Sequence, residues 1–209
     1  MGDYADAIEG FLTSMSTDIG CLNFKRVDML QSPYEHGLVF INGEVNADGN
    51  CWSAIGQAPG FVGNAQKTLT EFGAKETWQV ISLSPPCGID NKNTVQHEVG
   101  HALGRFHEFQ RPDRDLKIEV SAAAASSNPA YTDEQFVSYQ FPFDIGSSMM
   151  YCSQCVTGGT DPYDLVAKDG THWGNLPGLT TLDALKTEAN FCKGPTFTQP
   201  PNGYKNKVG

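Results

Sequence analysis

The chain has 209 residues, 39% of them hydrophobic, which is enough for one sizeable core or two small lobes but not for several independent domains. Its formal net charge is -10 at pH 7. Because binding to phosphates needs clustered basic side chains, this charge argues against a nucleic-acid partner. The sequence has no apolar run of membrane-spanning length, which argues against insertion into a bilayer.

Six cysteines form an even set, which is typical of disulfide-bonded proteins from an oxidising compartment. We therefore expect a secreted, extracellular protein whose signal and any pro-segment have been removed, so that Met1 need not be the native start. Reduced thiols packed as small hydrophobic side chains are the alternative. The six are Cys21, Cys51, Cys87, Cys152, Cys155 and Cys192.

The first predicted element is an amphipathic helix over residues 4–15, where apolar side chains recur every three or four positions. Gly20 is expected to stop this helix. Three short runs rich in β-branched and aromatic residues then predict strands of a small mixed sheet. They cover residues 22–27, 37–41 and 78–83.

A central helix is predicted over residues 91–103, because its apolar residues fall on one helical face. Asp90 or Asn93 is available to cap the start of this helix, and Gly104 is available to end it.

The later part of the chain predicts a short alanine-rich helix over residues 121–127 and a C-terminal helix over residues 180–191, with Thr180 as its candidate cap. Residues 193–209 have the composition of a linker and predict a loose tail. This order of elements predicts the α+β class, with one folded domain over residues 1–192.

Three of the five histidines lie in one segment, HEVGHALGRFH. His97 and His101 stand one helical turn apart, about 6 Å along the same face, so both imidazoles can reach one cation. Glu98 lies about 100° round the helix, near the open side of that cation without being a ligand. This is the placement that a general base needs to act on water.

His107 can complete the site only if the helix ends before it. A continued helix would put His107 about 9 Å beyond His101 and on another face, whereas a positive φ at Gly104 turns the chain back. A solvated helix face with surface histidines is the alternative, but the glycine and third histidine stand at the required spacing. His36 and His172 are isolated and are interpreted as ordinary polar residues.

Two stretches, HEFQRPDRD from residue 107 and FDIGSSMMY from residue 143, resemble the astacin family of metzincin zinc peptidases. Glutamate directly after the third histidine, here Glu108, distinguishes astacins from their relatives. The second stretch is similar to the family's Met-turn, with Met149 as the turn methionine and Tyr151 as the tyrosine near zinc. Further landmarks extend the similarity over most of residues 4–192; they are Cys51, Trp52, Ser53, Leu179, Thr180 and Asp183.

The resemblance implies a metzincin-like fold. An N-terminal lobe would hold a twisted mixed sheet and the central zinc-binding helix, and a mostly irregular C-terminal lobe would hold a C-terminal helix, with an active-site cleft between the lobes. Residues 1–192 would form the catalytic domain, and residues 78–83 would include the sheet edge that pairs with an extended substrate. The family's pairings would join Cys21 to Cys192 and Cys51 to Cys87, leaving Cys152 and Cys155 to each other.

The sequence departs from the family in three places. We expect the family's opening strand to be missing before Tyr4, and with it the mature N-terminus that the resemblance would anchor near Glu108. Met150 stands where the family usually has histidine. Cys152 and Cys155 are an addition next to the Met-turn; a local disulfide is favoured there over a redox site or a second zinc site, because no thioredoxin-like βαβ pattern surrounds them.

We predict a zinc-dependent endopeptidase that hydrolyses internal peptide bonds of extended protein or peptide substrates, with one catalytic Zn²⁺ per chain and a monomeric state. The predicted metal ligands are His97, His101 and His107, with Tyr151 as a distant extra ligand. Glu98 would take a proton from water and later deliver it to the leaving amine, and Tyr151 would stabilise the oxyanion.

Two other functions are considered. A catalytically silent zinc-binding adhesion or regulatory module would keep the histidines for folding, but the retained Glu98 argues against it. A different metzincin hydrolase is disfavoured by the run from Glu108 to Asp115. Tyr151 as a merely packed aromatic side chain and Met149 as plain core remain the alternatives for those two residues.

Overall fold

A computed structural model describes residues 2–28, 31–42, 50–56, 75, 77–132, 141–157, 163–174 and 176–192. The chain forms two compact units, Met1–Arg105 and Phe106–Gly209. Helices and strands occur in both units, so the predicted α+β class is confirmed. Within these described ranges, no helix has the length and apolarity needed to cross a membrane. The tail predicted over residues 193–209 lies outside the described residues.

The first unit begins with helix α1, Gly2–Asp18, which confirms the predicted amphipathic helix. Its apolar stripe buries Ile8, Leu12 and Met15, and the helix packs on the central helix of the same unit. Burial of this stripe, rather than propensity alone, supplies most of the stability of such a helix.

The strand predicted over residues 22–27 does not form, and this segment has no regular structure. Instead, the segment is tied to α1. Phe24 N donates to Ser16 Oγ at 3.4 Å, and Arg26 pairs with Asp6 at 3.1 Å and with Glu9 at 3.4 Å. Side-chain contacts with the helix thus take the place of strand pairing.

The described residues of the first unit also form a three-stranded sheet. Its strands are β1 Leu38–Asn42, β2 Trp52–Ser53 and β3 Gln79–Leu83. Strand β3 lies in the middle, parallel to β1 and antiparallel to β2, and all five of its residues are buried. The strands predicted over residues 37–41 and 78–83 are therefore confirmed. The expectation that residues 78–83 include the sheet edge is wrong, because β3 lies between β1 and β2.

The central helix is α2, Lys92–Ala102, which contacts both β2 and β3. The residue that caps it is Asn91, whose side chain accepts from Asn93 N at 2.9 Å, rather than Asp90 or Asn93 as expected. Gly104 has φ 86° just beyond the helix, a conformation that glycine adopts at low steric cost. The predicted helix end at Gly104 is confirmed.

The described residues of the second unit form short elements. Helix α3, Ala122–Ser127, confirms the predicted alanine-rich helix, whereas the antiparallel pair β4 Ile118–Val120 and β5 Leu165–Ala167 was not predicted. A small core packs around this pair. Its buried members are Phe109, Ile118, Met150 and Leu165.

The predicted C-terminal helix is α4, Thr181–Thr187, and a π-helical turn, Glu188–Cys192, continues it. Thr180 caps α4 as predicted, and Asp183 completes a capping box with it. Because this box satisfies backbone donors at both positions, it fixes the start of a helix that is only seven residues long.

Disulfide bonds account for every cysteine of the chain. Cys51 pairs with Cys87, and Cys152 pairs with Cys155, as the resemblance implies. Cys21 and Cys192 are disulfide-bonded as well. Because Cys152 and Cys155 are bonded to each other, they cannot serve as thiolate ligands of a second zinc ion. The sequence had left such a second zinc site as an alternative.

Candidate metal centre

His97 and His101 lie one turn apart on α2, and both are buried. Their Nε2 atoms are 3.1 Å apart, close to the separation of about 3.3 Å that two imidazole ligands of one tetrahedral zinc ion would have. His101 Nδ1 lies 2.7 Å from the carbonyl oxygen of Arg105, which can only accept. That hydrogen bond places the proton on Nδ1, so that Nε2 carries the lone pair that a metal ligand needs.

His107 is oriented by a second such contact. Its Nδ1 lies 2.8 Å from Gln110 Oε1, while Gln110 Nε2 donates to the carbonyl oxygen of Pro129 at 3.1 Å. Because the amide nitrogen is engaged with Pro129, the amide oxygen faces His107, whose Nδ1 must carry the hydrogen. In this tautomer, His107 Nε2 carries the lone pair that a metal ligand needs.

The three histidines meet the predicted geometry. One nitrogen each from His97, His101 and His107 lies within 4.8 Å of the others, a group that could hold a metal ion. Neutral imidazoles are ligands that suit zinc. Among the described residues, His36 and His172 do not belong to this group, and His172 stacks on Tyr163 with the ring centroids 3.7 Å apart.

Glu98 follows His97 on α2 and is buried, with 6% of its surface exposed. Burial raises the pKa of Glu98 to about 8, and a hydrogen bond from the backbone of Ser53 on β2 only partly opposes this rise. Its Oε2 atom has no hydrogen-bond partner. A buried carboxyl with one unsatisfied oxygen, directly after His97 in the chain, fits a site for a cation and its water, since either would satisfy that oxygen.

The Met-turn lies in the second unit and is fixed by buried hydrogen bonds. Asp183 accepts from Ser147 Oγ at 2.6 Å and from Ser148 N at 2.7 Å, and Ser147 Oγ accepts from Met149 N at 3.0 Å. Met149 is 1% exposed, so it also has the burial of an ordinary core residue. Met150, where the family usually has histidine, is buried in the core around β4 and β5.

Tyr151 follows this turn and packs its ring on His107, with the ring centroids 4.6 Å apart. Its carbonyl oxygen accepts from Trp173 Nε1 at 2.7 Å, which holds the backbone in place. The ring is half-buried and also contacts Phe109. Tyr151 thus lies beside His107, while its roles as a metal ligand and in catalysis stay predictions.

Glu108 is fully buried, and one of its oxygens collects three donors. Oε1 accepts from Lys186 Nζ at 2.7 Å, from Asp144 N at 2.9 Å and from an Arg111 guanidinium nitrogen at 3.2 Å. The sequence did not point to Lys186 or Gln110 as contributors to this site. Gln110 could have been suggested by its place three residues after His107, but Lys186 carries no local signal.

Comparison with known proteins also points to zinc metalloproteinases. The family model described as Astacin, a peptidase family, matches residues 6–192. The chain is 35% identical to zinc metalloproteinase nas-19 of Caenorhabditis elegans over 57% of this chain and 34% of that protein. It is 30% identical to astacin-like metalloprotease toxin 2 of Loxosceles intermedia over 59% of this chain and 47% of that protein. The chain therefore spans less than half the length of these relatives.

A solved structure shares the fold. High choriolytic enzyme 1, a hatching enzyme zinc-protease from the medaka fish Oryzias latipes, aligns with a TM-score of 0.63 over 90% of this chain and 82% of that one, at 17% sequence identity. At this identity the likeness concerns the fold alone, and it agrees with the predicted metzincin-like architecture.

Proposed function

This chain belongs to the astacin family, and we propose that it is a zinc-dependent endopeptidase that hydrolyses internal peptide bonds of extended protein or peptide substrates. The observation that carries the proposal is the group of His97, His101 and His107 with the buried Glu98 beside its first member. Three imidazoles and an open fourth position are typical of catalytic rather than structural zinc.

The three histidines would hold Zn²⁺ through their Nε2 atoms, and the ion would supply a Lewis acid that activates water and polarises the scissile carbonyl. Glu98 has the proton-handling role. Its free Oε2 accepts a proton from the attacking water, and the same carboxyl delivers that proton to the leaving amine. A nearby cation favours the ionised form and so lowers the pKa of Glu98 from about 8 towards the value that a base needs.

Tyr151 would act on the other charge that develops in the reaction. Its ring packs on His107, and its backbone is held by Trp173, so the phenol is positioned before substrate arrives. The phenolic O–H donates to the oxyanion of the tetrahedral intermediate, a contribution that is largest in a preorganised, dry site. We also propose Tyr151 as the distant extra metal ligand of the resting state.

Substrate pairing would involve an outer strand of the sheet. Because β3 has β1 on one side and β2 on the other, at Ile81 and Ser82, we do not place the substrate on β3. The short strand β2 is the candidate, since the Ser53 backbone on it already contacts Glu98. Backbone hydrogen bonds along such an edge supply affinity for extended chains with little dependence on their sequence.

The disulfides support an extracellular, secreted protein, because such bonds persist in oxidising compartments. We propose a monomeric catalytic domain over residues 1–192 with a tail after it. The rival, a zinc-binding module without activity, has no use for a buried carboxyl with a free oxygen, and Glu98 has both properties.

Cleavage of a peptide library, with and without a chelator, tests the proposal. We expect one transition-metal ion per chain and cleavage that the chelator abolishes and zinc restores. A protein that binds zinc stoichiometrically yet cleaves no peptide would be the inactive module. A protein without any stoichiometric metal would overturn both functions.

A further inference from the structure

A lysine ammonium is buried below the second unit's surface. Lys186 lies on α4 with none of its side chain exposed, and its Nζ donates to Glu108 Oε1 at 2.7 Å. The two residues are 78 positions apart in the chain. Burying an ammonium is costly unless it is paired and hydrogen-bonded, so this pair holds α4 and Glu108 to one relative position.

Glu108 passes this restraint to the residue before it, His107. The side chain of Glu108 also accepts from Asp144 N at 2.9 Å, and its backbone N donates to the carbonyl oxygen of Met149 at 2.8 Å. One residue therefore connects the chain that carries His107 to both ends of the segment leading into the Met-turn.

The same helix also holds the Met-turn directly. Asp183 stands one helical turn before Lys186, is fully buried, and accepts from Ser147 Oγ and Ser148 N. The helix start is itself fixed by the capping box of Thr180 with Asp183. Helix α4 thus makes two buried contacts with the segments around His107 and the Met-turn: Lys186 binds Glu108, and Asp183 binds the turn.

We infer that Lys186 is a positioning residue of the metal centre: through Glu108 it fixes the backbone that presents His107 and Tyr151. The inference rests on the proposed zinc site. It differs from a role in stability alone, because a buried ion pair can often be replaced by apolar side chains without loss of stability. An apolar replacement would not restore the short, directional contact between Lys186 and Glu108, the residue that follows the proposed ligand His107.

The first test compares Lys186→Met with a surface control in the same unit. Lys168 is the matched control, since it pairs with Glu119 at 3.7 Å with 48% of its side chain exposed. Metal affinity is measured by competition with a chelator, and the visible spectrum is recorded with Co²⁺ in place of zinc. We expect Lys186→Met to weaken metal binding by about 10- to 100-fold, the range for partners behind the ligands, and to alter the Co²⁺ spectrum. Lys168→Met should change neither.

A double variant separates positioning from stability. Lys186→Met leaves Glu108 with Arg111, which also pairs with Asp113, so one buried negative charge is unbalanced and that variant will also unfold more easily. Combining Lys186→Met with Glu108→Gln removes the unbalanced charge, and we expect the melting temperature of the metal-free protein to recover while metal affinity stays low. If metal affinity recovers together with the melting temperature, or if Lys186→Met binds metal like the wild type, the inference is wrong. A wild type that binds no metal would instead overturn the proposed function, and this inference with it.

Discussion

Gln110 holds the imidazole of His107 in the orientation that a metal ligand needs. Its Oε1 lies 2.8 Å from His107 Nδ1, and its Nε2 donates to the Pro129 carbonyl, so the amide cannot rotate without losing both bonds. A ligand imidazole with its other nitrogen hydrogen-bonded keeps one tautomer and one ring direction. We therefore predict that this side chain affects metal affinity through its contact with His107.

Replacing Gln110 with leucine should weaken zinc binding by about 10- to 100-fold, because the ring loses its acceptor while the side-chain volume changes little. Gln110→Glu keeps an acceptor at this position and should retain more affinity than the leucine variant. Chelator competition on the three proteins measures the effect. Equal affinity of all three would show that the contact does not orient His107.

Replacing Glu98 with glutamine should leave zinc bound and lower peptide cleavage by at least the roughly 10²- to 10⁴-fold attributed to general acid-base catalysis. The reason is that Glu98 supplies a proton acceptor and no metal bond in the proposed mechanism. Glu98→Ala should behave in the same way. Metal content and turnover are measured on the same samples, and near-normal turnover with bound zinc would remove Glu98 from its role.

The histidine pair on α2 could be predicted because the information is local. The helical period fixes the spacing of His97 and His101, and a positive φ at Gly104 ends the helix within three residues of His101. Helices α1, α3 and α4 were predictable for the same reason, since caps and apolar periodicity lie within each segment.

Pairing over long sequence distances could not be predicted. Strands β4 and β5 have three residues each and are separated by more than forty positions, so neither shows a clear alternation. The central place of β3 depends on two-residue β2, which has no strand signal of its own. The contact of Lys186 with Glu108 is of the same kind, because it depends on where α4 packs.

The disulfides Cys51–Cys87 and Cys152–Cys155 should differ in how much they stabilise the fold. In the chain-entropy view, closing the 36-residue separation of Cys51 and Cys87 stabilises by about 4 kcal/mol, against about 1.5 kcal/mol for the three-residue separation of Cys152 and Cys155. Chemical denaturation of the two double-alanine variants measures this. An equal or greater loss at Cys152 would mean that the small loop has a role in the native state.

Replacing Tyr151 with phenylalanine should lower the turnover number by roughly 10²-fold with little change in KM, since the ring is kept and the oxyanion donor is lost. Zinc content should be normal, because the three histidines remain. The packing of the ring on His107 does not need the hydroxyl. Unchanged turnover would identify Tyr151 as a packed aromatic side chain only.

The carboxylate of Asp164 is fully buried in a cage of donors in the second unit. It accepts from the backbone N and hydroxyl of Thr157 at 2.8 Å each, and from Val156 N at 3.1 Å and Ser121 Oγ at 3.2 Å. Burial alone would raise the pKa of Asp164, but these hydrogen bonds outweigh burial and hold the pKa below its ordinary value. The cage therefore favours the ionised form.

The free energy of unfolding should consequently fall as acid protonates Asp164. A carboxyl whose folded pKa lies below the unfolded value of about 3.9 stabilises the fold above that value and loses this contribution as pH falls through the folded pKa. The side chain of Asp164→Asn does not titrate in this range. The difference in free energy of unfolding between the wild type and this variant should therefore be largest near pH 6 and should decrease from about pH 5 downwards. Denaturant unfolding with chelator present in both proteins removes the effect of histidine protonation on metal binding. A gap that stays constant between pH 6 and pH 3 would show that Asp164 contributes through shape rather than through its charge.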